Sequence, residues 1–215
     1  MAPVSKKKSP AAPAPKKPRL SQAEATVRML NATIQLLLKS SPAEVTVVRS
    51  CEKAGVHTDY VVRYFGSREE LLSQAVEAAF LGYFVKTESD ASTRLNLVLE
   101  SDVDAMKLAK VRMQTITYLL GCGVSPERFQ ANQKLVLESV FAQSSSNSQV
   151  GDRTSKTLIL IGTLIVQAMN VLDEVNDISD QQKNDVLAYI GYMSQTGEAV
   201  QAALGWDKPV SKKRR

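Results

Sequence analysis

Residues 45 to 72 read VTVVRSCEKAGVHTDYVVRYFGSREELL. The stretch divides into a short helix, a glycine turn, a second short helix and a capped third. Thr46 is an N-cap for a helix that buries Val47, Cys51 and Ala54 and stops at Gly55. Gly55 supplies left-handed backbone at no steric cost, and a helical pattern resumes over residues 58 to 64, with Val61 and Phe65 at i and i+4 on its inner side. Ser67 with Glu70 three residues on is a capping box for the next helix. Two short helices around a glycine turn are the order in which a chain offers its second helix to the major groove of DNA.

These residues resemble, nearly position by position, the N-terminal DNA-binding domain of the TetR/AcrR family of transcriptional regulators. The matching residues are Thr46-Val47 opening the first helix, Ala54-Gly55-Val56 in the turn, and Tyr64-Phe65-Gly66-Ser67-Arg68-Glu69-Glu70-Leu71-Leu72 leaving the second. The resemblance implies an all-α protein. An N-terminal three-helix helix-turn-helix domain would be joined by a long fourth helix to a C-terminal helical bundle that binds a ligand and dimerises. Such a protein is a dimeric repressor on a double-stranded DNA operator, released by a small-molecule effector. Thr58, Tyr60, Arg63 and Tyr64 match family positions that touch bases or phosphates, and Arg68 matches a phosphate contact at the start of helix four.

Read from the residues, the groove-side candidates are His57, Thr58, Asp59, Tyr60, Arg63 and Tyr64; Thr46 and, through the resemblance, Arg68 complete the candidate DNA-binding set. Arg63 is the candidate guanine reader, because its planar fork can bond O6 and N7 together. Three residues depart from the family pattern: Val62 stands for the usual Tyr, His57 for a capping Ser, and Ser50 for an apolar residue in helix two. His57 reads as a helix-start residue near phosphate, with a pH switch as the other reading. Residues 45 to 72 hold four bases and four acids, so local electrostatic attraction to DNA is weak and helix-end dipoles gain importance.

Upstream, Val27, Leu30, Ile34, Leu37 and Leu38 repeat at three- and four-residue spacing from Ser21 onward, predicting helix one. Downstream, Leu71, Leu72, Ala75, Val76, Ala79, Phe80, Tyr83 and Phe84 predict one buried face along a long helix four. Ser101 and Asp104 mark a helix start ahead of residues 103 to 120, and Gly121-Cys122-Gly123 breaks it. Ser125-Pro126-Glu127 opens a helix to about residue 143, and residues 144 to 151 form a polar loop.

Residues 155 to 175 are apolar nearly all round, so that helix must be covered on most sides. A last helix over residues 180 to 204 carries a stripe that ends at Leu204. Leu158, Ile161, Leu164, Ile165, Met169 and Leu172, with Val186, Ile190, Met193, Gly197 and Val200, are the candidate homodimer interface. The other reading is that these two helices complete the monomer's own core. Met106, Met113, Tyr118, Phe129, Phe141 and Met169 are candidate walls of a ligand cavity, or else ordinary core residues.

The 215 residues divide into a Pro- and Lys-rich segment at 1 to 19, the helix-turn-helix domain at 20 to 66, the connecting, regulatory and dimerisation part at 67 to 206, and a basic tail at 207 to 215. The two tails carry charges of +6 and +4, which leaves residues 20 to 206 with 16 bases and 21 acids. The first segment holds five of the eight prolines and cannot bury enough apolar surface to offset ordering entropy, so it is expected to be disordered. Each tail is either a solubilising extension or a basic arm that attracts phosphate regardless of sequence.

Cys51 and Cys122 lie far apart and the chain has one histidine, so no cofactor or metal site is expected, and Cys51 reads as a small buried hydrophobe. No paired-carboxylate, phosphate-loop or Ser/His/Asp pattern points to an enzyme. With no run of 18 or more apolar residues and no secretory h-region, no membrane partner is expected and a cytoplasmic location fits. The alternative function is a nucleoid-associated architectural protein that binds DNA through its basic tails without sequence preference.

Overall fold

The computed structural model describes residues 20–84, 104–145, 152–173 and 175–206. Both basic tails, Ser101, Val103 and most of the expected 144-to-151 loop lie outside the described residues. The protein is all-α. Along the described residues run α1 (Gln22–Leu37), a 3₁₀ turn (Pro42–Glu44), α2 (Val47–Ala54), α3 (Asp59–Tyr64), α4 (Arg68–Phe84), α5 (Ala105–Gly121), α6 (Glu127–Ser145), α7 (Asp152–Leu172), α8 (Asp180–Gln195) and α9 (Gly197–Ala203).

Local capping explains most boundaries. The Ser21 side chain accepts from the Glu24 amide to open α1, Thr46 from Arg49 to open α2, and Asp104 from Lys107 to open α5. Gly55 (φ 68°) ends α2, with the Val56 amide bonded back to the Cys51 carbonyl at 3.0 Å. Gly66 (φ 83°) repeats the device after α3, its amide reaching the Val61 carbonyl at 3.0 Å. Ser67 accepts from the Glu70 amide at 3.0 Å.

Helix four differs from its sequence reading. One buried face was expected, yet α4 feeds two apolar clusters. Leu71 and Ala75 join Met29, Leu30, Cys51, Val61 and Phe65 in the core of the helix-turn-helix. Leu72, Val76, Ala79 and Phe80 join Ile34, Leu37, Val45 and residues of α5 and α6 in a larger core. Residues 71 and 72 diverge by about 100° around the helix, so two adjacent apolar stripes cover about half of its circumference. Tyr83, expected on the buried face, is exposed at the far end, and the Phe84 side chain lies outside the description.

Cys51 is buried in the smaller core, where desolvation raises its thiol pKa and keeps it protonated. The neighbouring Ser50 hydroxyl is buried without a hydrogen-bond partner.

Charged groups tie α4 to the bundle. Glu70 accepts from Arg128 at 2.6 and 3.1 Å and from Gln74 at 2.8 Å, so its carboxylate is engaged by α6. These contacts, the Arg128 bond first, lower the Glu70 pKa despite partial burial. A carboxylate depressed in the folded state stabilises the fold above its ordinary titration range, and that contribution is lost as pH falls through the folded value. Glu70→Gln is therefore expected to cost about 1 kcal/mol at neutral pH. The gap from the parent protein should close on acidification in urea titrations at several pH values. A gap independent of pH would assign the loss to packing.

The expected single helix over 180 to 204 is two helices. Ser194 donates to the Gly191 carbonyl at 2.7 Å, and Thr196 donates to those of Tyr192 and Met193 at 3.4 and 3.2 Å. Hydroxyls bonding back to carbonyls compete with the amide ladder, and the chain restarts at Gly197. Helix α7 packs on α5, α6, α8 and α9. It is also the one helix among the described residues long and apolar enough, by length and composition, to cross a membrane.

Candidate nucleic-acid interface and bundle cavity

Helix α3 is anchored from below and open above. Val61 is 1% exposed and Phe65 is buried beside it, while Val62 is 72% exposed and Arg63 lies on the same outer side. Tyr60 and Tyr64, one turn apart, stack with ring centroids 5.2 Å apart and 17° between planes. Both rings also pack half-buried against the smaller core, so they flank the outer face.

At the N-terminal end of α3, His57 Nδ1 lies 3.1 Å from an Asp59 carboxylate oxygen and 3.4 Å from the Asp59 amide. An unprotonated Nδ1 accepts from the amide; a protonated one donates to the carboxylate. His57, Asp59, Tyr60 and Arg63 line a surface depression of about 340 Å³. Thr46 is exposed but its hydroxyl caps α2, whereas the half-buried Thr58 makes no capping bond. Among the described residues Arg63 forms no ion pair.

Two residues change role. Arg68, matched to a phosphate contact, is turned inward with its side chain 20% exposed. Its Nε donates to the Val45 carbonyl at 2.8 Å, Nη2 to those of Pro42 and Ala43 at 2.6 and 3.3 Å, and Nη1 to the Tyr118 hydroxyl at 3.0 Å. A guanidinium with its fork filled by carbonyls has little left for phosphate. Val62, noted in the sequence only as standing for the usual Tyr, presents an exposed branched side chain on the outer side of α3. The alternation around Val61 and Phe65 was the signal that placed it outward.

Between α4, α5, α6, α7 and α8 lies a cavity of about 360 Å³. Met106 and Met113 line it, together with Phe80, Val136, Leu158, Ile159, Val166 and Ile190. A second hollow of about 460 Å³ adjoins it and shares Arg112, Met113, Gln133, Thr163 and Gln167, with Phe129 on its own wall. Tyr118, Phe141 and Met169 line neither hollow. Tyr118 holds Arg68, Phe141 lies under Lys156 at 4.8 Å, and Met169 is buried in the core.

Polar groups punctuate the cavity wall. Arg112 Nε and Nη2 donate to the two Glu77 carboxylate oxygens at 2.7 and 3.4 Å, and Nη1 donates to Gln133 at 3.0 Å. The Arg112 and Glu77 side chains are 3% and 4% exposed, and the guanidinium sits 4.4 Å over the Phe80 ring. Asn170, 7% exposed, lines the same cavity, and its Nδ2 has no hydrogen-bond partner. Among the described residues no group of three or more His, Cys, Asp or Glu side chains is arranged to hold a metal.

The eleven interface candidates also separate. Met169 and Gly197 are buried within the chain and are corrected to internal packing, while Leu158 and Ile190 are half-buried and line the cavity. Ile165, Val186, Met193 and Val200 are half-buried. Ile161, Leu164 and Leu172 are exposed, and Leu160, Tyr189 and Tyr192 join them unforeseen. Alternation along α7 showed an all-apolar helix but did not show which side the rest of the chain would cover.

No family model matches the chain, and no curated protein is similar at a significant level. Among solved structures, "the crystal structure of a putative transcriptional regulator from Rhodococcus sp. RHA1" is similar at 19% identity. The match covers 80% of this chain and 95% of that one, with a TM-score of 0.45. At that level the likeness says nothing of what this chain binds.

Proposed function

We propose that the protein is a DNA-binding transcriptional regulator of the TetR type, acting as a dimeric repressor that a small molecule releases. The observation that carries this reading is α3, which is pinned by Val61 and Phe65 and turns Val62 and Arg63 outward. A major groove admits such a helix, Arg63 suits guanine, and Val62 suits a thymine methyl. The face carries little net positive charge, so base contacts bear more of the affinity than phosphate attraction does.

Selection of bound duplexes from a random pool tests the proposal. The parent protein should enrich one motif, and Arg63→Ala should weaken binding to it by about 1–3 kcal/mol while relaxing preference at one position. Retention that ignores sequence and disappears when residues 1 to 19 and 207 to 215 are removed would favour the architectural alternative.

The dimer reading rests on Ile161, Leu164 and Leu172 of α7 and Tyr189 and Tyr192 of α8, which expose large apolar side chains. Sedimentation should show a dimer, with Leu164→Glu a folded monomer. A parent protein that stays monomeric at high concentration removes this part of the reading. Small-molecule control has a physical route in α5, which borders the cavity through Met113 and reaches Arg68 through Tyr118 one and a half turns later.

A further inference from the structure

The geometry points to a ligand class for the bundle cavity: a neutral, largely apolar molecule. This rests on the reading of the cavity as an effector site and specifies its chemistry. The volume of about 360 Å³ falls within the roughly 300–1,000 Å³ span of small-molecule pockets. The wall is chiefly Phe80, Met113, Val136, Leu158, Ile159 and Val166.

Charge decides against ionic ligands. Arg112 is the cationic residue on the cavity wall, and its Nε and Nη2 are already bonded to Glu77 while Nη1 holds Gln133. An anionic ligand would have to draw Arg112 from Glu77 and leave a buried carboxylate uncompensated. A cationic one would shed its hydration with no free carboxylate on the wall to receive it.

Three naphthalene dyes separate the possibilities on the full chain by fluorescence titration. Prodan is neutral with a ketone oxygen, N-phenylnaphthylamine is neutral without an acceptor oxygen, and anilinonaphthalenesulfonate adds an anionic group to the second. Prodan should bind at least about tenfold tighter than the sulfonate. Gly162→Leu, whose new Cβ would sit 3.4 Å from Ile190 and whose side chain would enter the cavity, should abolish binding of both neutral dyes.

A sulfonate that binds as tightly as prodan overturns the neutral class. Neutral dyes that never saturate, or whose binding Gly162→Leu leaves intact, overturn the site itself. Should Gly162→Leu lose its helical circular dichroism, the comparison of dyes on the parent protein decides the class alone. Motif selection with no dye present reports separately on the regulator reading, so the two can fail independently.

Discussion

Arg112→Ala is expected to lower the free energy of unfolding by about 3–5 kcal/mol, because it leaves Glu77 buried and unpaired. The pair joins α4 to α5, Gln133 brings in α6, and the guanidinium covers the Phe80 ring. Removing the arginine therefore strands a carboxylate, frees an amide oxygen and opens space beside an aromatic ring. Replacing both partners, Glu77→Leu with Arg112→Met, should recover most of the loss, since the penalty comes from the solitary charge rather than from lost attraction. Urea unfolding of the two single variants and the double variant measures this. Single-variant losses below about 1 kcal/mol would falsify the account of a compensated buried charge.

Arg68→Ala is expected to cost about 3 kcal/mol and to loosen the start of α2 relative to the bundle. Its fork is shared among Val45, Pro42 and Ala43 on one side and Tyr118 on the other, so one side chain holds the 3₁₀ turn, α4 and α5 together. Arg68→Lys should recover little, because an ammonium cannot reach these acceptors as a planar fork does. The salt dependence of DNA binding separates a clamp from a phosphate contact. A clamp variant loses stability while its salt slope is nearly unchanged. A phosphate contact would instead lower the slope by about one and leave unfolding untouched. The second result would restore the role that the resemblance implied for Arg68.

The two arginines show how far residue patterns reach. Thr46, Gly55, Val61 and Phe65 were legible because capping, left-handed turns and helical periodicity act within about five residues of each other. Arg68 was not, because a cation at a helix start looks the same in sequence whether it meets phosphate or carbonyls 23 to 26 residues earlier. Arg112 sits in an apolar pattern with its partner 35 residues away, so no local spacing announced the pair. Tyr118 and Met113 share one helix and similar apolar character, yet Tyr118 meets Arg68 and Met113 the cavity. Asn170 drew no attention, since a single amide in an apolar run is unremarked until its surroundings close over it.

By sequence alone the chain settled that it is helical, where most helices begin and end, and which side of α3 turns inward, because those outcomes depend on backbone preferences and short-range periodicity. Tertiary structure alone decided that α4 serves two cores, that Arg68 is a clamp, that a cavity opens beside Asn170, and which side of α7 remains uncovered. These depend on which distant side chains meet. Desolvation and hydrogen-bond pairing act on the groups brought together in space, and neither leaves a mark in residue spacing.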